Sequence, residues 1–244
     1  GESFGSYKIG NDERVLRHVT SANIACGFHA GDPIIIEKTV KMALNYGVSV
    51  GAHPGFPDLL GFGRRNMDVS PDDLRSYVIY QVSALNGFVR GFGGKIQHVK
   101  PHGALYNMAA RDYRLARAVA EGVCFVDSDL VLIGLSGSQL IKAGQDVGIA
   151  TASEVFADRS YTNLGELVPR SVEGAVIHDR DIAVKRVIRM IVEGKVRSID
   201  GEDVEVMADT VCIHGDSEEA LEFAVSIREA LEKEGLEAKA LRPR

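Results

Sequence analysis

Between Gln97 and Asn107 the chain reads Q-H-V-K-P-H-G-A-L-Y-N, which brings His98, Lys100, His102, Tyr106 and Asn107 within a few residues of one another. A lysine ammonium can offset developing negative charge, and a histidine can carry a proton near neutral pH. Pro101 and Gly103 break the strand pattern of Lys95–Val99, so Lys100 and His102 are expected where a strand gives way to a loop. In α/β sheets and barrels, that carboxyl end is where sites are built. A turn alone needs the proline and the glycine, but it does not require a lysine and a histidine beside them.

The same placement recurs along the chain. Ser21–Cys26 reads as a strand and leads to Phe28 and His29, and Val48–Ala52 leads to His53. Leu130–Leu135 ends in G-L-S-G-S, Val147–Thr151 precedes E-V-F-A-D-R-S-Y (Glu154–Tyr161), and Thr210–Ile213 ends at His214 and Asp216. In a barrel, all of these tips face one end. His29 and His53 could ligate a divalent metal, or could be core histidines bonded to carbonyls. Arg64 and Arg65 could be solvated, or one of them could hold a carboxylate or phosphate. Glu154, Asp158 and Arg159 could form a structural ion pair, or supply a general base and an anion anchor. Gly134–Ser138 is small enough for a phosphate cradle and equally suits close packing. Asp32 and Asp216 read as helix caps, and Asp58 as a turn former. No segment has P-loop spacing, and no cysteine neighbours these histidines in the chain, which leaves Cys-His nucleophilic catalysis without support.

Helices must return the chain between these strands. Asp32–Pro33 starts one that runs to about Tyr46. Ser70–Asp73 starts another, with Leu74, Val78, Val82, Leu85 and Val89 as its buried stripe. Further helices are expected over Arg111–Gly122, a short stretch to Ala143, Asp179–Glu193, and from Asp216 with Glu219 completing a capping box. Thr162–Ile177 reads as irregular, Val196–Val206 as short surface strands, and Glu237–Ala240 as a short final strand. Strand, loop and helix repeat over six strands with no linker. This predicts one α/β domain over residues 1–244, a (β/α) barrel with fewer than eight strands, with a doubly wound open sheet as the alternative. G-E-S-F-G at the start reads like the loop after a strand, so a further strand is expected ahead of Gly1.

The 244 residues, 45% of them hydrophobic, suit one sizeable core. No run approaches the ~18 apolar residues of a membrane span. A net charge of −6 without a basic cluster argues against nucleic acid and anionic membranes as partners. Cys26, Cys124 and Cys212 are odd in number and far apart. They fit neither a disulfide framework nor a zinc knuckle, so a reducing cytoplasm is the expected compartment. Formation of a homo-oligomer stays open.

Six segments together resemble the LamB/YcsF family: S-A-N-I-A-C-G-F-H-A-G-D (Ser21–Asp32), G-A-H-P-G-F-P-D (Gly51–Asp58), H-V-K-P-H-G-A-L-Y-N (His98–Asn107), E-V-F-A-D-R-S-Y, L-V-P-R-S (Leu167–Ser171) and H-G-D (His214–Asp216). They span almost the whole chain in the family's order. Of the family's usual opening strand, D-L-N-x-D-x-G-E, only Gly1–Glu2 is present. The resemblance implies a deformed, seven-stranded TIM-like barrel of the glycoside hydrolase/deacetylase type. It also implies ATP-dependent opening of 5-oxo-L-proline to L-glutamate together with two partner subunits, B and C. On the matched positions, Lys100, His102, Glu154 and Asp158 become candidate catalytic groups. Asn23, His29, His53, Arg64, Tyr106, Arg159 and His214 become candidate substrate contacts. Two other functions fit the same residues. One is a stand-alone metal-dependent amide or carbohydrate deacetylase-type hydrolase, with His29 and His53 on the ion; the other is a non-catalytic subunit that only presents substrate.

Overall fold

The computed structural model describes residues 2–3, 12–213 and 220–241. Its centre is a six-stranded, wholly parallel sheet. The strands are β1 (Ser21–Ala25), β2 (Ser49–His53), β3 (Ile96–Val99), β4 (Val131–Leu135), β5 (Ala150–Phe156) and β8 (Thr210–Cys212). They lie side by side in chain order. A doubly wound sheet reverses its order at a switch point; this one never does, as expected for a barrel. The sheet also curls. Lys100, just past β3, touches Cys212 on β8 at 3.0 Å although β4 and β5 lie between them. Such a contact is only made across a concave face. β1 and β8 are the two edges among the described residues. The expected extra strand ahead of Gly1 lies outside them.

Helices α2 (Pro33–Asn45), α3 (Pro71–Gly91), α5 (Tyr113–Val126), α6 (Gln139–Val147), α7 (Arg180–Val192) and α8 (Ala220–Lys233) return the chain, after a short α1 (Asp12–Leu16). Their starts are chemical. Asp32 accepts from the backbone N–H of Ile34 and Ile35, Ser70 from Asp73, and Asp179 from Ile182, so orphan donors of each first turn are satisfied. The stripe of α3 is fully buried, as its spacing predicts. The cap expected at Asp216 and Glu219 lies outside the described residues. No helix among the described residues is long and apolar enough to cross a membrane.

Three local expectations change, and one open alternative is decided. A helix α4 (Gly103–Arg111) begins at Gly103, where a break was expected. Gly103 has φ +54°, and a Cβ there would meet the Gly63 carbonyl oxygen at 2.5 Å. The residue read as punctuation is what lets the 54–66 loop close over the start of α4. Strand β5 extends through Phe156, so Glu154 projects from a strand and not from the loop beyond it. Alternate residues of a strand point to opposite faces, and this puts Glu154 inside the curl. Gly134 proves to be packing: a Cβ would lie 2.8 Å from Leu140 Cβ. Residues 237–240 form no strand; instead Leu241 packs beside Val131, Ile133 and Ala152. The surface excursion is an antiparallel hairpin of β6 (Lys195–Arg197) and β7 (Asp203–Glu205).

Candidate active site

At the carboxyl ends of the strands lies a cavity of about 520 Å³. Asn23, His53, Lys100, His102, Tyr106 and Arg159 line it, and Arg64 stands at its rim. These seven candidates, drawn from positions between 23 and 159, do converge. His29, Glu154 and Asp158 are buried beside it. His214 lies outside the described residues.

Lys100 is a buried cation. Its Nζ donates to Glu154 Oε1 at 2.7 Å and to Cys212 Sγ at 3.0 Å. Tyr106 donates its hydroxyl to the second carboxylate oxygen, Glu154 Oε2, at 2.9 Å. Burial works against the ammonium, but the neighbouring Cys212 sulfur and Glu154 carboxylate outweigh it and raise the lysine's pKa. Burial pushes the Cys212 thiol up to about 12, so the sulfur is uncharged at neutral pH. The charge that keeps Lys100 protonated is therefore Glu154's. With both oxygens engaged, Glu154 holds Lys100 in place and is poorly disposed to take a proton from substrate.

Three histidines meet behind this pair. His29 and His102 stack with ring centres 3.7 Å apart and planes 4° apart. His53 Nδ1 lies 2.6 Å from the Lys100 carbonyl, and His102 Nε2 lies 2.8 Å from the Phe62 carbonyl. A carbonyl only accepts, so both of those nitrogens carry protons. In neutral rings the inner nitrogens, His53 Nε2 and His102 Nδ1, are then bare lone pairs, and they face each other at 3.1 Å. Glu2 Oε1 adds a further acceptor, 3.2 Å from His102 Nδ1 and 3.6 Å from His29 Nε2. Both ring nitrogens of His29 are buried without a hydrogen bond. Three acceptors, His53 Nε2, His102 Nδ1 and Glu2 Oε1, thus face one another, and the one N–H of a neutral His29 makes no hydrogen bond to them; a cation, either an added proton or a metal ion, would satisfy them. Glu2, His29 and His102 have ligand atoms close enough to share one ion. The anticipated pair was His29 and His53; the structure puts His102 and Glu2 with His29, and sets His53 against His102.

Buried neutral rings have a cost in acid. Burial lowers the pKa of His29 to about 4 and that of His98, also next to the Lys100 charge, to about 3. Above about pH 6.5 folded and unfolded chains both keep these rings neutral. Below it the unfolded chain takes up protons that the folded chain refuses. Stability is therefore expected to fall as pH drops from about 6.5 to about 4, by about 1.4 kcal/mol per pH unit per ring. Urea midpoints followed across that window would check this; a flat profile would mean the two rings are charged in the folded state.

The remaining candidates separate cleanly. Asp58 secures its own loop, accepting from Gly61 N at 2.9 Å and from the Arg65 guanidinium. Arg65 is thus tied to a carboxylate of its own loop. Arg64 lies over the Phe62 ring, 5.0 Å from its centre. Arg159 donates to the carbonyls of Val168 and Ala175. Burial, then the nearby Arg170, brings its pKa down to about 10, still a cation at neutral pH. It does not pair with Glu154, which belongs to Lys100. Missed from sequence were Glu2, Cys212, and Arg170 at the cavity wall. Glu2 had one usable signal, as the last acidic residue of the family's opening strand.

The model of the LamB/YcsF family matches residues 1–244. The chain belongs to the LamB/YcsF family. This LamB/YcsF chain is 57% identical over 241 residues to the A subunit of 5-oxoprolinase from Bacillus subtilis, covering 99% of the chain and 94% of that protein. It is 56% identical over 237 residues to the protein of the same name from Clostridium beijerinckii, covering 97% and 93%. Among solved structures it is similar to a lactam utilization protein from Thermus thermophilus, with 46% identity, a TM-score of 0.92, and coverage of 98% and 96%. A cellobiose-phosphate cleavage protein from Enterococcus faecalis shares the fold alone, at 13% identity and a TM-score of 0.51. The six-stranded curled sheet is thus the deformed TIM-like barrel of this family.

Proposed function

We propose that this chain is the A subunit of a 5-oxoprolinase. In this reading it belongs to a hydrolase that opens 5-oxo-L-proline to L-glutamate with consumption of ATP, in a cytoplasmic complex with subunits B and C. What carries this reading is identity above one half across nearly the full length of proteins bearing that name. The cavity is chemically suited to it. A lactam is a resonance-stabilised amide, and water attacks it slowly. Transfer of the γ-phosphoryl group of ATP to the ring carbonyl oxygen makes that carbon electrophilic. One water then adds to the carbon and the carbon–nitrogen bond breaks, with a proton going to nitrogen. A second water releases phosphate from the acyl phosphate and leaves glutamate.

Each stage builds negative charge on oxygen. Lys100, fixed by Glu154 and Tyr106, is a buried cation placed to offset it. Arg64, Arg159 and Arg170 suit the ring carboxylate and the phosphoryl group at the wall and rim. Asp158 is the group assigned to move protons, and His102 joins it only while its Nδ1 holds no ion. Glu2, His29 and His102 would hold a divalent ion, which supplies Lewis acidity when bound. That cluster also favours a second reading, a metal-dependent amide hydrolase that works without ATP.

The test is reconstitution. Mixed with subunits B and C, the chain is expected to release glutamate from 5-oxo-L-proline only when ATP is present. Release by the chain alone, without ATP and abolished by a chelator, would favour the second reading. No release under either condition would leave a binding role only.

A further inference from the structure

The β1–β2–β3 side of the cavity contains a hydrogen-bond chain whose direction is fixed from one end. We propose that this chain, running Leu241–Gln97–His98–Asn23, turns the Asn23 side-chain oxygen into the cavity as an acceptor for the ring N–H of a lactam, which makes Asn23 a specificity-determining residue. The inference rests on the lactam reading above.

The direction follows link by link. Gln97 Nε2 donates to the Leu241 backbone carbonyl, which can only accept, and lies 3.2 Å from Ser49 Oγ. The other Gln97 amide atom is therefore the oxygen, and it sits 3.2 Å from His98 Nδ1. An amide oxygen only accepts, so Nδ1 carries the ring's proton. His98 is fully buried and close to the Lys100 ammonium, where a second proton would set two like charges together away from water. Its Nε2 is thus a bare lone pair. As placed, Asn23 Oδ1 faces that lone pair at 3.0 Å, which would set two acceptors against each other. The two ends of an amide have the same shape, and only its NH₂ end can answer a lone pair. Nδ2 therefore belongs against His98, and Oδ1 is left on the opposite side, where Asn23 lines the cavity. Gly51 secures the ring's position, since a Cβ there would collide with His98 Nε2.

At neutral pH 5-oxoproline has an ionised carboxylate, a carbonyl, and a single donor, the ring N–H. An outward acceptor on β1 matches that donor. It turns away the corresponding lactone, which presents an oxygen lone pair at the same place. Sites built around one hydrogen bond discriminate strongly against an analogue that lacks it. Gln97 and His98 are positioning residues here, acting only through Asn23.

Binding of 5-oxo-L-proline and of its ring-oxygen lactone analogue to the assembled complex provides the test. The lactam is expected to bind on the order of 100-fold or more tightly. Gln97→Leu removes the constraint on His98, which can then carry its proton on Nε2. Asn23 is free to turn, and the lactam-to-lactone ratio is expected to collapse towards one. Nitrogen NMR of His98 reads the same relay without substrate, and the Nδ1–H form is expected in the wild-type chain. Equal binding of lactam and lactone by a complex that still releases glutamate would overturn the proposal and leave the enzyme assignment standing. An Nε2–H ring in the wild type overturns it whether or not Gln97→Leu folds. Absence of any lactam binding and of glutamate release would remove the enzyme assignment itself.

Discussion

Lys100→Met is expected to reduce glutamate release by the reconstituted complex by about 100–1000-fold, the range seen when one preorganised donor to a developing oxyanion is removed. The same substitution is expected to destabilise the chain by about 3–5 kcal/mol, because it strands the Glu154 carboxylate in the interior. Lys100 and Glu154 are both buried, and their contact is 2.7 Å. These two consequences can be separated. In Lys100→Met combined with Glu154→Gln, no buried charge remains unpaired, and a neutral pair of similar volume often costs little. The double variant is expected to regain most of the lost stability in urea titrations and none of the activity. If it regains activity as well, the ammonium has only a structural role. Tyr106→Phe is a milder control, since it removes one hydrogen bond to Glu154 worth about 1 kcal/mol.

The histidine cluster should respond most strongly to divalent cations. If Glu2, His29 and His102 hold a metal ion, the wild-type chain is expected to gain thermal stability as zinc or manganese is added, in proportion to the logarithm of free metal above its dissociation constant. His102→Ala and Glu2→Gln each remove a ligand. Their loss of affinity is expected to be at least the roughly 10–100-fold that follows from losing even a supporting partner of a ligand. Titration calorimetry on the three proteins measures it. The alternative occupant is a proton shared between His102 and Glu2, whose atoms are 3.2 Å apart. A melting temperature that ignores both metals and chelator, with His102 doubly protonated by nitrogen NMR, would assign the cation to that proton.

Much of this protein is legible in its residues because local chemistry governs them. Asp32 before Pro33, and Ser70 before Pro71, start helices by satisfying the donors of a first turn, whatever lies elsewhere. The alternation of strand, loop and helix, with polar residues at strand tips, carried the barrel class and the gathering of Asn23, His53, Lys100 and His102 at one cavity. Other features were decided only by the curl of the sheet. No spacing rule links Lys100 to Cys212 across two intervening strands, or tells which carboxylate it meets. Glu154 and not Asp158 pairs with it because β5 runs further than its sequence pattern indicated, turning residue 154 inward. Gly103 showed the same limit: as a letter it is a helix breaker, and its use became visible only with the Gly63 carbonyl in place. Helix starts are set by atoms a few residues apart, whereas the partner of a buried charge is set by which distant strands the closed sheet brings face to face.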